Sequence, residues 1–284
     1  MPARAWAVCL GLIALLFVAV VGLDAWQTRQ GESSLFGLSW GRPERAASRP
    51  ARPSPAPPPP AEPGIARMAL VIEGFGARQD LYDQAASLDR PLALAVLPEL
   101  PLSERIARDA TRAGLEVLVE VPMEPYRYPE MDPGPGAVLL SMSRDEVIAA
   151  TTRHLATMPG AMGVIGHMGS RFTEDREHMR ALLEPVRARG LVFVDGMASN
   201  LSVADDVARA LGVRSARRQV RVGAGRGEAA AREALEEAAR VAERRGEAVV
   251  VVGGHPLTIR LLKEYIPRWE GRGIRLVPVS RLAR

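Results

Sequence analysis

Ionisable side chains recur in this sequence at the ends of short apolar runs. Two of the four histidines occupy such positions, and carboxylates occupy three more. The five residues are Glu73, Glu120, His167, Asp195 and His255. Together with Glu124, which lies four residues after Glu120, they form a nitrogen and oxygen donor set suited to zinc or another divalent cation. The pattern predicts one site, assembled from these five strand ends.

The segment that follows His167 is also suited to contact a ligand. Its sequence is Met-Gly-Ser-Arg, and its small residues would let the backbone approach a bound molecule closely. We therefore expect Met168 and Ser170 to bind substrate. Arg171 would balance the nearby carboxylates or bind an oxyanion.

Two further groups of ionisable residues are expected to be solvated. His154 and His178 fall inside predicted helices and should face water. Five arginines of one segment are predicted to form a solvated face, with binding of an anionic polymer as the alternative. They are Arg214, Arg217, Arg218, Arg221 and Arg226.

Apolar runs of four to six residues must position these groups. Most are continuous, as is typical of strands buried on both faces. The candidate strands are residues 68–72, 92–97, 115–119, 161–165, 191–194, 248–252 and 274–279, with a weaker strand near 213–222.

Helical stretches lie between these strands. The capping box Ser143-Arg-Asp-Glu146 opens one helix, and Thr173 with Glu174 and Asp175 opens the next. Helices are also predicted over residues 202–211 and 228–245. Four glycines are predicted to close helices in a left-handed conformation, namely Gly114, Gly190, Gly246 and Gly273.

Strand and helix alternate about seven times, which predicts an α/β domain with a parallel sheet, either a barrel or doubly wound. About 215 residues are available, and this length favours a distorted (β/α) barrel of about seven strands over a full eight-fold one. Parallel strands place their carboxyl ends on one side of the sheet. We therefore expect the five strand-end residues to converge there.

Composition excludes several classes of protein. With 47% apolar and 25% charged residues, the chain of 284 residues can form a full globular core. The sequence pI is near 9.8, but only 5% of residues are aromatic and no basic stripe is interleaved with them, so we expect no nucleic-acid partner. The single cysteine, Cys9, lies in the N-terminal apolar segment, so neither a disulfide nor a cysteine metal site is expected in the domain.

The N-terminal part predicts a membrane anchor. Ala5 to Leu23 is a run of nineteen uncharged residues, enough for a helix of about 28 Å. A cleaved signal peptide is the alternative. Nine prolines between Pro43 and Pro63 predict an extended spacer. We expect an anchor over residues 1–26, a linker over 27–66 and a domain over 67–284, with one pass through the inner membrane and the domain in the periplasm.

The order of motifs resembles the divergent polysaccharide deacetylase family, a remote NodB-type branch of the carbohydrate esterases. The resemblance is carried by Val121-Pro-Met-Glu-Pro125, by His167-Met-Gly-Ser-Arg-Phe172 and by Gly254-His255-Pro256 with the final strand after it. It covers nearly the whole region from Met68 to Leu282. It implies a distorted (β/α) barrel and deacetylation of N-acetylated glycans.

The resemblance also implies a metal held by one aspartate and two histidines, a second aspartate as base and a late histidine as acid. This sequence differs at two ligand positions. Glu73-Gly74 stands where paired aspartates are usual, and Glu120 stands where a histidine is usual. The expected roles are then metal binding by His167, Glu120 and Glu124, proton abstraction by Glu73, proton donation by His255, and orientation by Asp195 or Arg171.

Two hypotheses of different classes follow. The first is a membrane-anchored deacetylase in which a divalent metal, zinc being the expected one, assists hydrolysis of N-acetyl groups on a polysaccharide or peptidoglycan-type glycan. The second is a catalytically inactive module that has lost its metal and binds glycan or an envelope partner. Gly74 favours the second hypothesis, and retention of both site histidines favours the first. A phosphoesterase on the same scaffold ranks third.

Overall fold

The structure, a computed structural model, describes residues 65–284. The predicted membrane anchor and nearly all of the proline-rich linker lie outside these residues. Among the helices that are described, none is long and apolar enough to cross a bilayer.

Strands and helices alternate through the described part of the chain. The strands are β1 Ala66–Phe75, β2 Ala93–Val96, β3 Glu116–Met123, β4 Gly163–Met168, β5 Val192–Asp195, β6 Ser215–Arg217, β7 Val220–Val222, β8 Glu247–Gly253 and β9 Ile274–Leu276. The α-helices are α1 Gln79–Ala86, α2 Ser103–Arg112, α3 Arg144–Thr157, α4 Arg176–Ala188, α5 Ala204–Ala210, α6 Gly227–Arg245 and α7 Pro256–Gly271. Short 3-10 helices cover Phe172–Glu174 and Val279–Arg281.

All strand pairs are parallel, in the order β6-β5-β4-β3-β2-β1-β8-β7, with β9 beside the start of β1. The outermost strands, β6 and β7, are separated in sequence only by Arg218 and Gln219. The Arg218 N–H donates to the Asp195 carbonyl on one side, and the Gln219 N–H donates to the Val249 carbonyl on the other, both at 2.9 Å. These two residues connect the edges of the sheet, so the sheet is curled into a distorted barrel.

The weak strand predicted near residues 213–222 is therefore two short strands. The break falls at Arg218 and Gln219 because their N–H groups bond to opposite edges. The predicted last strand is also shorter than expected. It ends at Leu276, and Pro278, which has no N–H to donate, leads into the second 3-10 helix.

Local capping signals explain several helix boundaries. Ser143 and Glu146 form the predicted capping box of α3. The four predicted glycines all have positive φ, with values of 78°, 65°, 75° and 76°. Helix α4 differs from the prediction, because its N-cap is Asp175, whose side chain accepts from the His178 N–H. Thr173 lies before it in the first 3-10 helix.

Alternate strand residues enter two separate buried clusters, as expected for strands with a two-residue period. The outer cluster joins the sheet to helical residues such as Ile106, Leu182 and Leu262. Its strand members include Leu70, Ile72, Val119, Val164, Phe193 and Val250. The inner cluster contains strand residues and the C-terminal segment, among them Ala69, Val71, Leu118, Ile165, Val194, Val251 and Val279. This alternation decides which strand-end side chains face the barrel interior.

Candidate functional site

Three predicted site residues extend the inner cluster towards the carboxyl ends of the strands. Glu73 follows Val71 on β1, Glu120 follows Leu118 on β3, and His167 follows Ile165 on β4, each by two residues. Because side chains alternate along a strand, all three face the barrel interior. Together with Arg221, described below, they form what we call the polar cluster.

Glu120 and His167 form a buried pair. The Glu120 side chain is fully buried, whereas that of His167 is 26% exposed. His167 Nδ1 lies 2.6 Å from Glu120 Oε1. The other carboxylate oxygen, Oε2, accepts the Gly74 N–H at 2.7 Å. Within residues 65–284, Nε2 of His167 makes no hydrogen bond, so this nitrogen is available to a ligand or a proton.

The pair shifts the protonation of both groups. Burial acts to lower the pKa of His167, but the hydrogen bond and negative charge of Glu120, with a further contribution from Glu73, raise it above its usual value of 6.5. Burial raises the pKa of Glu120, against the hydrogen bond from His167. His167 is thus held as an imidazolium over a wider pH range than an isolated histidine.

Changing Glu120 to glutamine should reverse the shift of His167. The negative charge is lost while burial remains, so the pKa of His167 should fall from above 6.5 to below it. An NMR titration of the imidazole resonances measures this change. A His167 pKa that is the same in Glu120→Gln and in the unmodified protein would contradict the pairing.

Arg221 completes the polar cluster. It lies between Val220 and Val222 of the outer cluster, so its own side chain faces the interior. Its guanidinium contacts both carboxylate oxygens of Glu73, with Nη1 3.1 Å from Oε2 and Nη2 bonded to Oε1. Its positive charge also acts to lower the pKa of His167. The Arg221 side chain is 50% exposed, as expected for a solvated face, but it also pairs with Glu73, which the sequence analysis did not predict. The alternation Val-Arg-Val was the sequence signal that could have shown that the Arg221 side chain faces the interior.

Other members of the arginine segment lie elsewhere. Arg214 and Arg217 line a cavity of about 410 Å³ that Glu247, the first residue of β8, also lines, so it belongs to the opposite end of the barrel. Arg217 lies 3.6 Å from both Asp195 and Asp205. This cavity is separate from the polar cluster.

Glu124, a predicted metal ligand, holds protein segments together. Its Oε2 accepts the Leu140 N–H at 2.7 Å, and its Oε1 accepts from Arg171 Nη1 at 2.9 Å. Arg171 thus balances a carboxylate, as predicted, and that carboxylate is Glu124. Ser170 accepts the Tyr126 N–H through its hydroxyl at 3.1 Å. Met168 ends β4 with a φ of 53° and pairs in register with Met123.

Asp195 does not join the polar cluster. It follows Phe193 of the outer cluster by two residues and therefore lies on the other side of the sheet from Glu73 and Glu120. Its carboxylate accepts the Met197 N–H at 2.9 Å and the Ser202 hydroxyl at 3.2 to 3.3 Å. Burial raises its pKa. The prediction that Asp195 converges with the other strand ends is wrong.

His255 lies at the correct end of the sheet but caps a helix. Gly253, two residues before it, pairs in register with Glu73, and the Gly254 N–H donates to the Glu73 carbonyl at 2.9 Å. The His255 side chain is the N-cap of α7, where Nδ1 accepts the Leu257 N–H at 3.1 Å. The predicted convergence of five residues is therefore realised for Glu73, Glu120 and His167.

The expectation that His154 faces solvent is also wrong. His154 is fully buried in α3, with Nε2 3.3 Å from Glu99 Oε1, and burial lowers its pKa. His178 is mostly buried and bonds to Asp175. His154 lies against the loop at Gly136, and the helical periodicity of the sequence did not show that this face of α3 is buried.

The donor set does not fit a metal held by three protein ligands. Among residues 65–284, no group of three or more His, Cys, Asp or Glu side chains could hold a cation. Gly74 contributes no side chain, and both oxygens of Glu120 and of Glu124 already accept hydrogen bonds. Binding of zinc stays a prediction.

Comparisons with known proteins agree with this architecture. The family model for divergent polysaccharide deacetylases matches residues 70–283. The uncharacterized protein YibQ of Escherichia coli K12 is 28% identical over 200 residues, which cover 70% of this chain and 62% of that protein. The match thus spans less than two thirds of that relative. An uncharacterized protein of Haemophilus influenzae is 27% identical over 199 residues, covering 69% and 70% of the two chains.

Solved structures show the same fold. A crystal structure of an uncharacterized protein from Agrobacterium tumefaciens C58 is 28% identical, with a TM-score of 0.73 over 77% of this chain and 89% of that one. A structure from Enterococcus faecalis V583 shares the fold with a TM-score of 0.57 at 15% identity, covering 78% of this chain and all of that one. The chain belongs to the divergent polysaccharide deacetylase family.

Proposed function

We propose that the domain binds an N-acetylated glycan at the polar cluster and does not hydrolyse it by a metal-dependent route. One observation carries the proposal. The carboxylates that would hold a cation or abstract a proton already accept hydrogen bonds from other groups of the protein. The Gly74 N–H and His167 bond to Glu120, and the Arg221 guanidinium pairs with Glu73. The glycan class is taken from the family to which the chain belongs.

The pairing of Glu73 with Arg221 also argues against a base at this position. A guanidinium is always charged and binds carboxylates through two parallel hydrogen bonds. These bonds take two of the roughly four lone-pair sites of Glu73, so a water molecule positioned by Glu73 would have to bind at the remaining sites, beside the guanidinium. The polar cluster can nevertheless bind a neutral acetamido group, because imidazole, guanidinium and carboxylate offer both donors and acceptors.

Hydrolysis of the acetyl group is the second candidate, and the Glu120–His167 pair favours it. A carboxylate that orients an imidazole, with the second ring nitrogen available, is an arrangement suited to proton transfer. In that case His167 would act through Nε2 on water or on the leaving amine.

The two candidates differ in acetate release. The full-length chain should bind a β-1,4-linked tetramer of N-acetylglucosamine in calorimetry after treatment with EDTA, and should release no acetate with or without added zinc. The corresponding tetramer of glucosamine, which lacks the acetyl groups, is the control ligand and should bind more weakly. Acetate release, with or without added zinc, that is lost in His167→Ala would establish the second candidate. Failure to bind either tetramer would refute the glycan site.

The predicted anchor over residues 5–23 would place this site at a membrane surface facing the periplasm. That location is part of the proposal and stays a prediction. Fractionation of cells that express the full chain tests it, since a cleaved signal peptide would leave the protein in the soluble fraction.

A further inference from the structure

The large apolar side chains that are exposed lie on two loops. Within residues 65–284 they are Tyr126, Tyr128, Met131 and Leu201. The first three lie on the loop from β3 to α3, and Leu201 lies on the loop from β5 to α5. Both loops leave the carboxyl ends of their strands, which is the end of the barrel that carries the polar cluster. Exposed apolar groups gathered in this way mark binding surfaces.

Tyr126 is exposed but fixed in position. The exposed fraction of the whole residue is 54%. Its hydroxyl donates to Glu174 and lies 3.2 Å from the Ser199 hydroxyl, while its N–H donates to Ser170 at 3.1 Å. Hydrogen bonds from Ser199 and Tyr126 lower the pKa of Glu174, so this group stays a carboxylate. A ring fixed in this way loses little conformational entropy when a ligand packs on it.

The same hydrogen-bond network holds Leu201. The Leu201 N–H donates to the Ser199 hydroxyl at 3.0 Å, and Leu201 is 70% exposed. Asp195 holds this loop in place, because its carboxylate accepts hydrogen bonds from the Met197 N–H and the Ser202 hydroxyl. Asp195 is therefore a positioning residue for the loop that carries Ser199 and Leu201. This gives the buried carboxylate a use outside the polar cluster.

The two loops lie beside the polar cluster. Ser170, which accepts the Tyr126 N–H, follows His167 by three residues. Tyr126 follows Glu124, whose backbone carbonyl accepts the N–H groups of Arg171 and Phe172. A ligand at His167 would thus lie beside the segment that carries Tyr126, along the rim of the barrel.

We infer that Tyr126 and Leu201 form a saccharide platform that binds the sugar unit next to the one at the polar cluster, an inference that rests on the proposed function. A hexosamine ring has one face rich in C–H groups, which packs on an aromatic ring, and hydroxyl groups around its edge. Tyr126 supplies the ring, and Leu201 supplies a second apolar contact. Glu174, a carboxylate with room for more than two hydrogen bonds, lies where the edge hydroxyls can donate to it.

Glycan length provides the test. The full-length chain is titrated in calorimetry with β-1,4-linked N-acetylglucosamine oligomers of two and of five units. In the unmodified protein, affinity should rise with length. Tyr126→Ala should weaken binding of the pentamer about 5- to 10-fold, the scale of one aromatic contact, and should change binding of the dimer less. Tyr126→Phe keeps the ring and should retain most of the affinity.

Matched variants separate the platform from general damage. Glu130→Ala removes an exposed side chain of the same loop that is not among the exposed apolar residues, and it should leave binding unchanged. Leu201→Ala should weaken pentamer binding without affecting stability, because the side chain is mostly exposed. Pentamer binding that is equal in Tyr126→Ala, Leu201→Ala and the unmodified protein would overturn the platform while leaving the proposed function intact. If the unmodified protein bound neither oligomer, the proposed function would fail, and the platform with it.

Discussion

Replacing Glu120 with alanine will lower the free energy of unfolding by about 2–3 kcal/mol, because it removes charge-assisted hydrogen bonds from a fully buried group. His167 Nδ1 and the Gly74 N–H both lose their acceptor. The expected loss is below the largest values for broken buried ion pairs, because His167 is partly exposed and can give up its proton. Chemical denaturation at pH 6 measures the change.

The loss should depend on pH. The pKa of His167 in the folded state is raised above the usual 6.5, so the stability gained from its charge is complete below about pH 6.5 and disappears as pH rises through the folded-state pKa. Glu120→Ala should therefore be least harmful in alkaline solution. Glu116→Ala is the matched control, since Glu116 faces the same interior from the other end of β3 and accepts one N–H, from Ser280. An effect equal to that of Glu120→Ala would argue against a special role for the pair.

The double variant Gly74→Asp with Glu120→His will bind zinc at least about 10-fold more tightly than the unmodified chain. It adds a carboxylate and an imidazole next to His167, and even residues outside the ligand shell change metal affinity by 10- to 100-fold. Apart from the chain neighbours of Gly74, no atom of the described residues lies within 4 Å of the position that a Cβ would take there. The φ of 90° at Gly74 is unfavourable for aspartate, so we expect stability to fall by about 1–2 kcal/mol.

Zinc affinity is measured by competition with a chromophoric chelator. Each single substitution should give a smaller gain than the pair, and adding His167→Ala to the double variant should abolish the gain. Glu124→His, directly after the same strand, is the control, because Glu124 contacts Leu140 and Arg171 and not the polar cluster. If the unmodified chain already bound zinc as tightly as the double variant, the native residues would form a metal site that the hydrogen bonds of Glu120 do not block.

The sequence predicted most of the strands along the chain, because most are continuous apolar runs between helix signals. Because these apolar runs are uninterrupted, they do not show on which side of the sheet a strand-end side chain lies. Val192, Phe193 and Val194 are all buried, so nothing in the run shows that Asp195 shares the outward direction of Phe193. Arg221 is the opposite case, since the valines on either side of it reveal the alternation.

The hydrogen-bond partners of loop residues could not be predicted from the sequence, for a similar reason. Glu124 accepts from Leu140, sixteen residues away, and from Arg171, forty-seven residues away. No local pattern encodes either contact. His255 looked like a site residue because it ends an apolar run, but the proline and the threonine after it are also the signals of a helix start. A residue that satisfies both patterns cannot be assigned from sequence alone.

The position of β7 in the sheet has a consequence for how the protein is made. The contact between Glu73 and Arg221 joins residues 148 positions apart, and Arg221 is brought near Glu73 when β7 pairs with β8 and β8 pairs with β1. Contacts of such long range form late in folding, because the chain between them must first be ordered. During synthesis, β1 therefore emerges with its strand-end carboxylate unpaired and must wait for more than half of the protein to follow. The polar cluster is thus assembled late in folding, and its presence reports that β7 and β8 have joined β1 in the sheet.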